Sequence, residues 1–324
     1  MTEMTARALE QAVRAWLDGL DAAQQATARS GFEDAERRVW DYQPVPREGL
    51  AIAAMDAAQR ASAWSTVDAA MSARGAAEAR AVVALEPILG ALERVEGRPD
   101  VPDRDPERYW FAVFGEVGDR AGWAWRLGGH HLAMQVTVVD GSVASVTPSF
   151  LGANPAVVPH GPASGSRALT GEETLARSLL ERLTEAERRQ AIVDPIAPPE
   201  IHSGHGARAD LRHVPMGIAH ADLGRAGREA MVALIRHYLE RAPADVAEAH
   251  WTRTVAPGLD ATTFAWAGSQ RPGEGHYYAI RGERVLVEYD NTQNGANHVH
   301  ALWRDLVDDW GEDTLAAHYR VAHA

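Results

Sequence analysis

Cysteine is absent from this chain. That removes disulfides, thiolate nucleophiles and every Cys-ligated zinc or iron–sulfur site, and leaves histidine, carboxylate and hydroxyl chemistry. Long apolar runs are missing as well: no window approaches eighteen uncharged apolar residues, so the sequence offers no membrane-spanning helix. Positive charge is scarce. With 32 Lys and Arg against 45 Asp and Glu, the net charge is -13, which argues against nucleic acid or an anionic membrane surface as the main partner. The N-terminus lacks the unbroken apolar stretch of a secretory signal. Leu9, Val13, Trp16, Leu17 and Leu20 recur at helical spacing with Glu3, Glu10, Asp18 and Asp21 among them, and the expected location is the cytoplasm.

What is present is an ordinary globular balance, 46% hydrophobic and 24% charged over 324 residues, enough for one large domain or two similar ones. Residues 1–100 read as helical; Leu85, Ile88, Leu89 and Leu92 mark one buried helix face. Gly97-Arg98-Pro99-Asp100 and Pro102 break that pattern. Four strands are expected at 109–114, 123–127, 131–139 and 143–150, with an Asp140-Gly141 hairpin turn. Thr170-x-x-Glu173 and Thr184-x-x-Glu187 have the form of capping boxes for the next helices. Residues 194–217, rich in proline, read as a connector between an N-terminal part, 1–193, and a C-terminal part, 218–324. Four more strands are expected at 262–267, 276–281, 284–289 and 298–303.

The two strand groups overlay at a shift of about 153 positions: Phe111-Ala112-Val113-Phe114-Gly115 falls on Phe264-Ala265-Trp266-Ala267-Gly268, and Gly122 on Gly275. The expected fold is therefore α+β: two related units, each helices followed by a four-stranded antiparallel meander, packed as one globule with their sheets facing a shared cavity. The second hairpin turn, Asn294-Gly295, needs a shift one residue larger. This predicts a β-bulge within 288–293 that pairs Glu288 with His300 and Asp290 with His298, all on one face.

Several long motifs carry a family resemblance: Trp125-Arg126-x-x-Gly129-His130-His131-Leu132, Thr147-Pro148-x-Phe150-x-Gly152-Ala153-Asn154-Pro155, and above all His276-Tyr277-Tyr278, Glu288-Tyr289-Asp290-Asn291-Thr292-Gln293-Asn294 and Asn297-His298-Val299-His300. Together with Glu36-Arg37-x-x-Trp40, Trp303-Arg304-Asp305 and His318-Tyr319, they resemble an uncharacterised bacterial family, domain of unknown function 3500, over most of the chain. The resemblance implies no assigned activity and no catalytic residue. Where members of such a family carry export signals, this chain shows none.

The residues themselves point to a metal site. Two histidines at i, i+2 facing a carboxylate supply a two-His, one-carboxylate set. The candidate ligands are His298, His300 and Glu288, with Asp290 as substitute or outer partner and His131 or His130 as a further imidazole. Such a set suits iron, manganese, copper or zinc. The alternative for the same groups is a structural hydrogen-bond network. His276 is a candidate acid or base. Arg304 is a candidate clamp for a substrate carboxylate, with pairing to a nearby Asp as its bland reading. For Arg126 and Arg284 a structural ion pair is expected. The function expected is a metal-dependent enzyme acting on a small molecule, an oxidoreductase ahead of a hydrolase, with a non-catalytic binding module for a small ligand or peptide as the rival.

Overall fold

The computed structural model describes residues 2–97 and 104–322; the breaker expected at Arg98-Pro99-Asp100 and Pro102 lies outside the described residues. Among the described residues, thirteen strands form one sheet. They are β1 (Arg29–Ser30), β2 (Leu50–Ala51), β3 (Tyr109–Phe114), β4 (Trp123–Gly129), β5 (Leu132–Val139), β6 (Ser142–Ser145), β7 (Ser149–Ala153), β8 (Ile192–Asp194), β9 (Ile218–Ala219), β10 (Thr263–Gly268), β11 (His276–Arg281), β12 (Val285–Asp290) and β13 (Val299–Asp305). The main path runs β1-β3-β4-β5-β7-β13-β12-β11-β10-β8. An α+β fold is thus present, but the two strand groups do not face each other across a cavity. They join edge to edge, because β7 and β13 pair antiparallel from Val299 opposite Ala153 to Trp303 opposite Ser149.

Alternation along the strands decides what each face carries. Val287, Tyr289, Ala301 and Trp303 point to the face covered by helices, where Leu9, Trp16, Val67, Leu179, Met231 and Leu234 complete the main core. Each fully buried aliphatic side chain there contributes about 1.5–3 kcal/mol. The helices are periodic as expected: Leu9, Val13, Trp16 and Leu17 are buried along Glu3–Asp18. Thr184 caps its helix through the full box with Glu187. Thr170 does not: it sits before Gly171–Arg182 without a side-chain cap bond, and Glu173 is instead engaged by Arg167 and Arg177. Among the described residues, no helix is long and apolar enough to cross a membrane.

The opposite face is covered by irregular segments. A second core of Trp40, Tyr42, Phe150, Ile201, Leu302 and Trp310 forms there. Glu288, Asp290 and His300 emerge on this side.

Candidate metal centre

β12 and β13 place Asp290 directly opposite His300, and Glu288 opposite Leu302. The shared face expected for these two carboxylates and His300 is present, but the register differs by two residues from the expected one. No bulge interrupts this pair; the irregularity is in the other hairpin, between Thr137 and Val138 of β5 against β6. The reason is the β12–β13 loop. It spans 291–298 rather than two turn residues, with Asn294 and Ala296 at positive φ. His298 is therefore outside the strand, and its ring swings toward the first half of the sheet.

There it meets His131. His131 was expected to open the strand 131–139; with His130 it instead forms the two-residue turn between β4 and β5, where Gly129 pairs with Leu132. His131 has φ 58, a conformation non-glycine residues seldom adopt and one that clusters at functional sites. The turn is held from several sides. The His131 amide donates to the Tyr42 carbonyl at 2.9 Å, its carbonyl accepts the Gly152 amide at 2.7 Å, and the His130 carbonyl accepts the Tyr109 hydroxyl at 2.9 Å. The two imidazoles stack, with centroids 3.9 Å apart.

Three imidazoles converge. His131 Nε2 and His298 Nε2 are 2.8 Å apart, and one ring nitrogen from each of His131, His298 and His300 lies within 4.8 Å of the others. His300 Nδ1 contacts Glu200 Oε1 at 2.7 Å and Asp290 Oδ2 at 3.2 Å. This leaves Nε2 of His300 for the histidine side, the arrangement in which outer carboxylates orient a ligating imidazole. His131 and His300 are almost fully buried, 4% and 2% exposed, and Asp290 completely so.

Burial, reinforced by repulsion from the neighbouring rings, holds His131 well below the ordinary histidine range and His298 down to about 2. Both are therefore neutral, the form that binds a metal. For His300, burial again opposes charge, but its hydrogen bonds to Asp290 and Glu200 outweigh it and raise the ring to about 9. Burial raises Asp290 to about 6. Glu200, despite its burial, is pulled down by the His300 hydrogen bond. Asp290 Oδ1 and His298 Nδ1 are buried without a hydrogen-bond partner, which in a native protein marks a place for water, an ion or a ligand.

Other candidates are elsewhere. Glu288 is fully buried but engaged by the Tyr277 hydroxyl and the amides of His202 and Ser203. His130 turns to Glu86, Nδ1 to Oε1 at 2.5 Å. His276 lies on the helix-covered face, since Tyr277 is the residue of β11 that pairs with Asp290. It stacks on Trp266 at 4.5 Å. Arg304 shares the face of His300 but is used structurally: Nε donates to Asp309 at 2.6 Å, and its other nitrogens donate to the carbonyls of Gly206 and Ala207. The expected ion pairs of Arg126 with an acid, Glu36, and of Arg284 with Asp305 are present.

Sequence reasoning missed Glu200 and Tyr42. Glu200 comes from the segment read as a mere connector, which is a strap across the site. Its length was the available signal: an irregular stretch of more than about 15 residues inside a compact domain is usually functional or disordered.

The fold and the site together define an α+β protein with a buried imidazole–carboxylate cluster on the sheet face away from the helices. The chain belongs to the family described as protein of unknown function (DUF3500), whose model matches residues 2–312. No curated protein and no solved structure matches it.

Proposed function

We propose that this chain is a metal-dependent enzyme acting on a small molecule, with His131, His298 and His300 as the ligands and Glu200 and Asp290 as their outer partners. The observation that carries this is the convergence of three imidazoles from two distant hairpins, in a place with unsatisfied buried polar atoms. A tetrahedral centre with bonds of ~2.0–2.1 Å needs nitrogens about 3.3 Å apart, so the 2.8 Å between His131 and His298 requires only a small outward rotation. All-imidazole sets suit zinc, copper, iron or nickel. Such an ion would supply Lewis-acid polarisation and, if iron or copper, electron transfer. The chain's own part is to hold the rings, to exclude bulk water with the strap, and to keep a half-buried carboxylate, Glu200, beside His300 to hold a proton. We carry oxidoreduction forward on ligand type and set it in the cytoplasm. Metal-dependent hydrolysis is the second reading, favoured by the placement of Glu200 as a base.

Elemental analysis of protein purified without a histidine tag tests this. One equivalent of a transition metal is expected, and it is lost in a His298→Ala/His300→Ala variant that still folds. A metal-free wild type whose thermal stability ignores chelation would leave the cluster as a hydrogen-bonded binding module. Iron or copper, with oxygen uptake on adding substrates, separates the oxidoreductase from a zinc hydrolase.

We also read the two strand groups as copies of one unit. In support, β3 carries a parallel partner, β1, and an antiparallel one, β2; β10 carries β8 and β9 in the same way. On this reading the centre lies between the first copy's β4–β5 turn and the second copy's last hairpin. The equivalent turn of the second copy, Gly282-Glu283-Arg284-Val285, presents Arg284, which is bonded to Asp305.

A further inference from the structure

We propose that Glu288 is a positioning residue, whose carboxylate clamps the strap so that Glu200 reaches His300. The inference rests on the metal reading above for its functional meaning, but its geometry stands separately. Glu288 is 0% exposed in the middle of β12. It has no ion-pair partner among the described residues, so its charge is met by hydrogen bonds alone. Oε1 accepts the His202 amide at 2.6 Å and the Tyr277 hydroxyl at 2.8 Å; Oε2 accepts the Ser203 amide at 3.1 Å. A buried carboxylate is tolerated only with such a set of donors.

Two of those donors belong to the strap, two and three residues after Glu200. Further along, the strap is anchored a second time, where the carbonyls of Gly206 and Ala207 accept Arg304 and Ala207 also accepts the Trp310 indole. Beside Glu200 the strap is also held by buried Ile201 and by Gln293, whose Nε2 donates to the Pro199 carbonyl and to Glu200 Oε2, each at 3.3 Å. The Glu288 anchor is the one that fixes the His202 and Ser203 amides. Without it the backbone at 202–203 is loosened, and the reach of Glu200 to His300 rests on the Gln293 and Ile201 contacts alone, while the 206–207 half stays docked. A glutamine at 288 would turn an NH2 toward backbone N–H donors and leave one of them unpaired.

The test compares wild type, E288Q, E200Q and the double variant by three measurements. These are amide hydrogen exchange at His202 and Ser203, long-range proton–nitrogen NMR of the His300 ring, and Zn2+ affinity by competition with a chromophoric chelator. E288Q is expected to speed exchange at both amides, to move the His300 nitrogen signals in the same sense as E200Q, and to weaken Zn2+ binding about 10–100-fold, the usual effect of losing an outer partner. The double variant should be little worse than either single one. Unchanged His300 signals in folded E288Q, or effects that add in full, would overturn the clamp. If wild type binds none of Zn2+, Fe2+, Ni2+ and Cu2+, the metal reading fails, and exchange and NMR still decide the clamp. Should E288Q not fold, Glu288→Asp keeps the charge but not the reach and is read in the same way.

Discussion

Gly152→Ala should disable the proposed metal centre without replacing any of its proposed ligands. β7 passes so close to the β4–β5 turn that a Cβ at 152 would lie 2.9 Å from Cγ and Cδ2 of the His131 ring and 2.9 Å from the Val299 carbonyl. The ring cannot simply withdraw, because it stacks on His130 and its backbone is bonded to Tyr42 and to Gly152 itself. Overpacking of this kind costs roughly 1–3 kcal/mol. Displacement of one imidazole should weaken metal binding at least about tenfold, by comparison with the loss of an outer partner. Denaturant unfolding and metal titration measure the two effects. Gly31→Ala is the control, since a Cβ there meets nothing within 4 Å. A Gly152→Ala protein with wild-type affinity would show that His131 is not a ligand.

Arg241→Met should be strongly destabilising. Arg241 follows the helix Arg225–Leu239 and is completely buried. Its Nη2 lies 2.6 Å from Glu172 and its Nε 3.5 Å from Glu78. Its carbonyl accepts the Ser72 amide at the start of the helix Ala73–Ala84. Methionine keeps much of the volume but takes the nearest cation from buried Glu172, leaving it His237, and one of two from Glu78, which keeps Arg74. Breaking a buried pair in this way costs about 3–5 kcal/mol. Adding Glu172→Gln should recover part of it.

The same pair predicts a pH dependence. Burial pushes Glu172 toward the neutral acid, but Arg241 and the His237 hydrogen bond overcome it and hold the carboxyl well below its ordinary value. A group whose folded pKa is depressed stabilises the fold above its unfolded pKa and loses that contribution as pH falls through the folded value. Wild-type stability should therefore decline below about pH 4.5, and Glu172→Gln should flatten part of that decline. An unchanged acid limb in Glu172→Gln would assign it to other carboxylates.

How much of this was legible depended on the range of the interaction concerned. Strand positions followed from alternation and turn chemistry: the Asp140-Gly141 turn links β5 to β6, with Asp140 and Gly141 both at positive φ. The sharing of one face by Glu288, Asp290 and His300 was legible because strand side chains alternate with period two, so parity survives a register error of two. The exact register did not survive it. That was set by the 291–298 loop, whose conformation depends on bonds such as that of Asn297 Oδ1 with the Val157 amide, 140 residues away. Thr170 shows the same limit within a helix: the capping sequence is present, but Arg167 and Arg177 compete for Glu173.

By itself the sequence determined the chemistry available: histidines and carboxylates without thiols, on an acidic chain, with its richest polar residues on one late hairpin. Only the tertiary structure decided which of them meet. It joined the strand groups at β7 and β13, stood His131 in a strained turn beside His298, carried Glu200 in on the strap, and placed His276 behind the sheet. Local patterns are fixed by backbone geometry over a few residues. Assembling a cluster of side chains from across the chain instead depends on long-range pairing and packing, which no short stretch of sequence encodes.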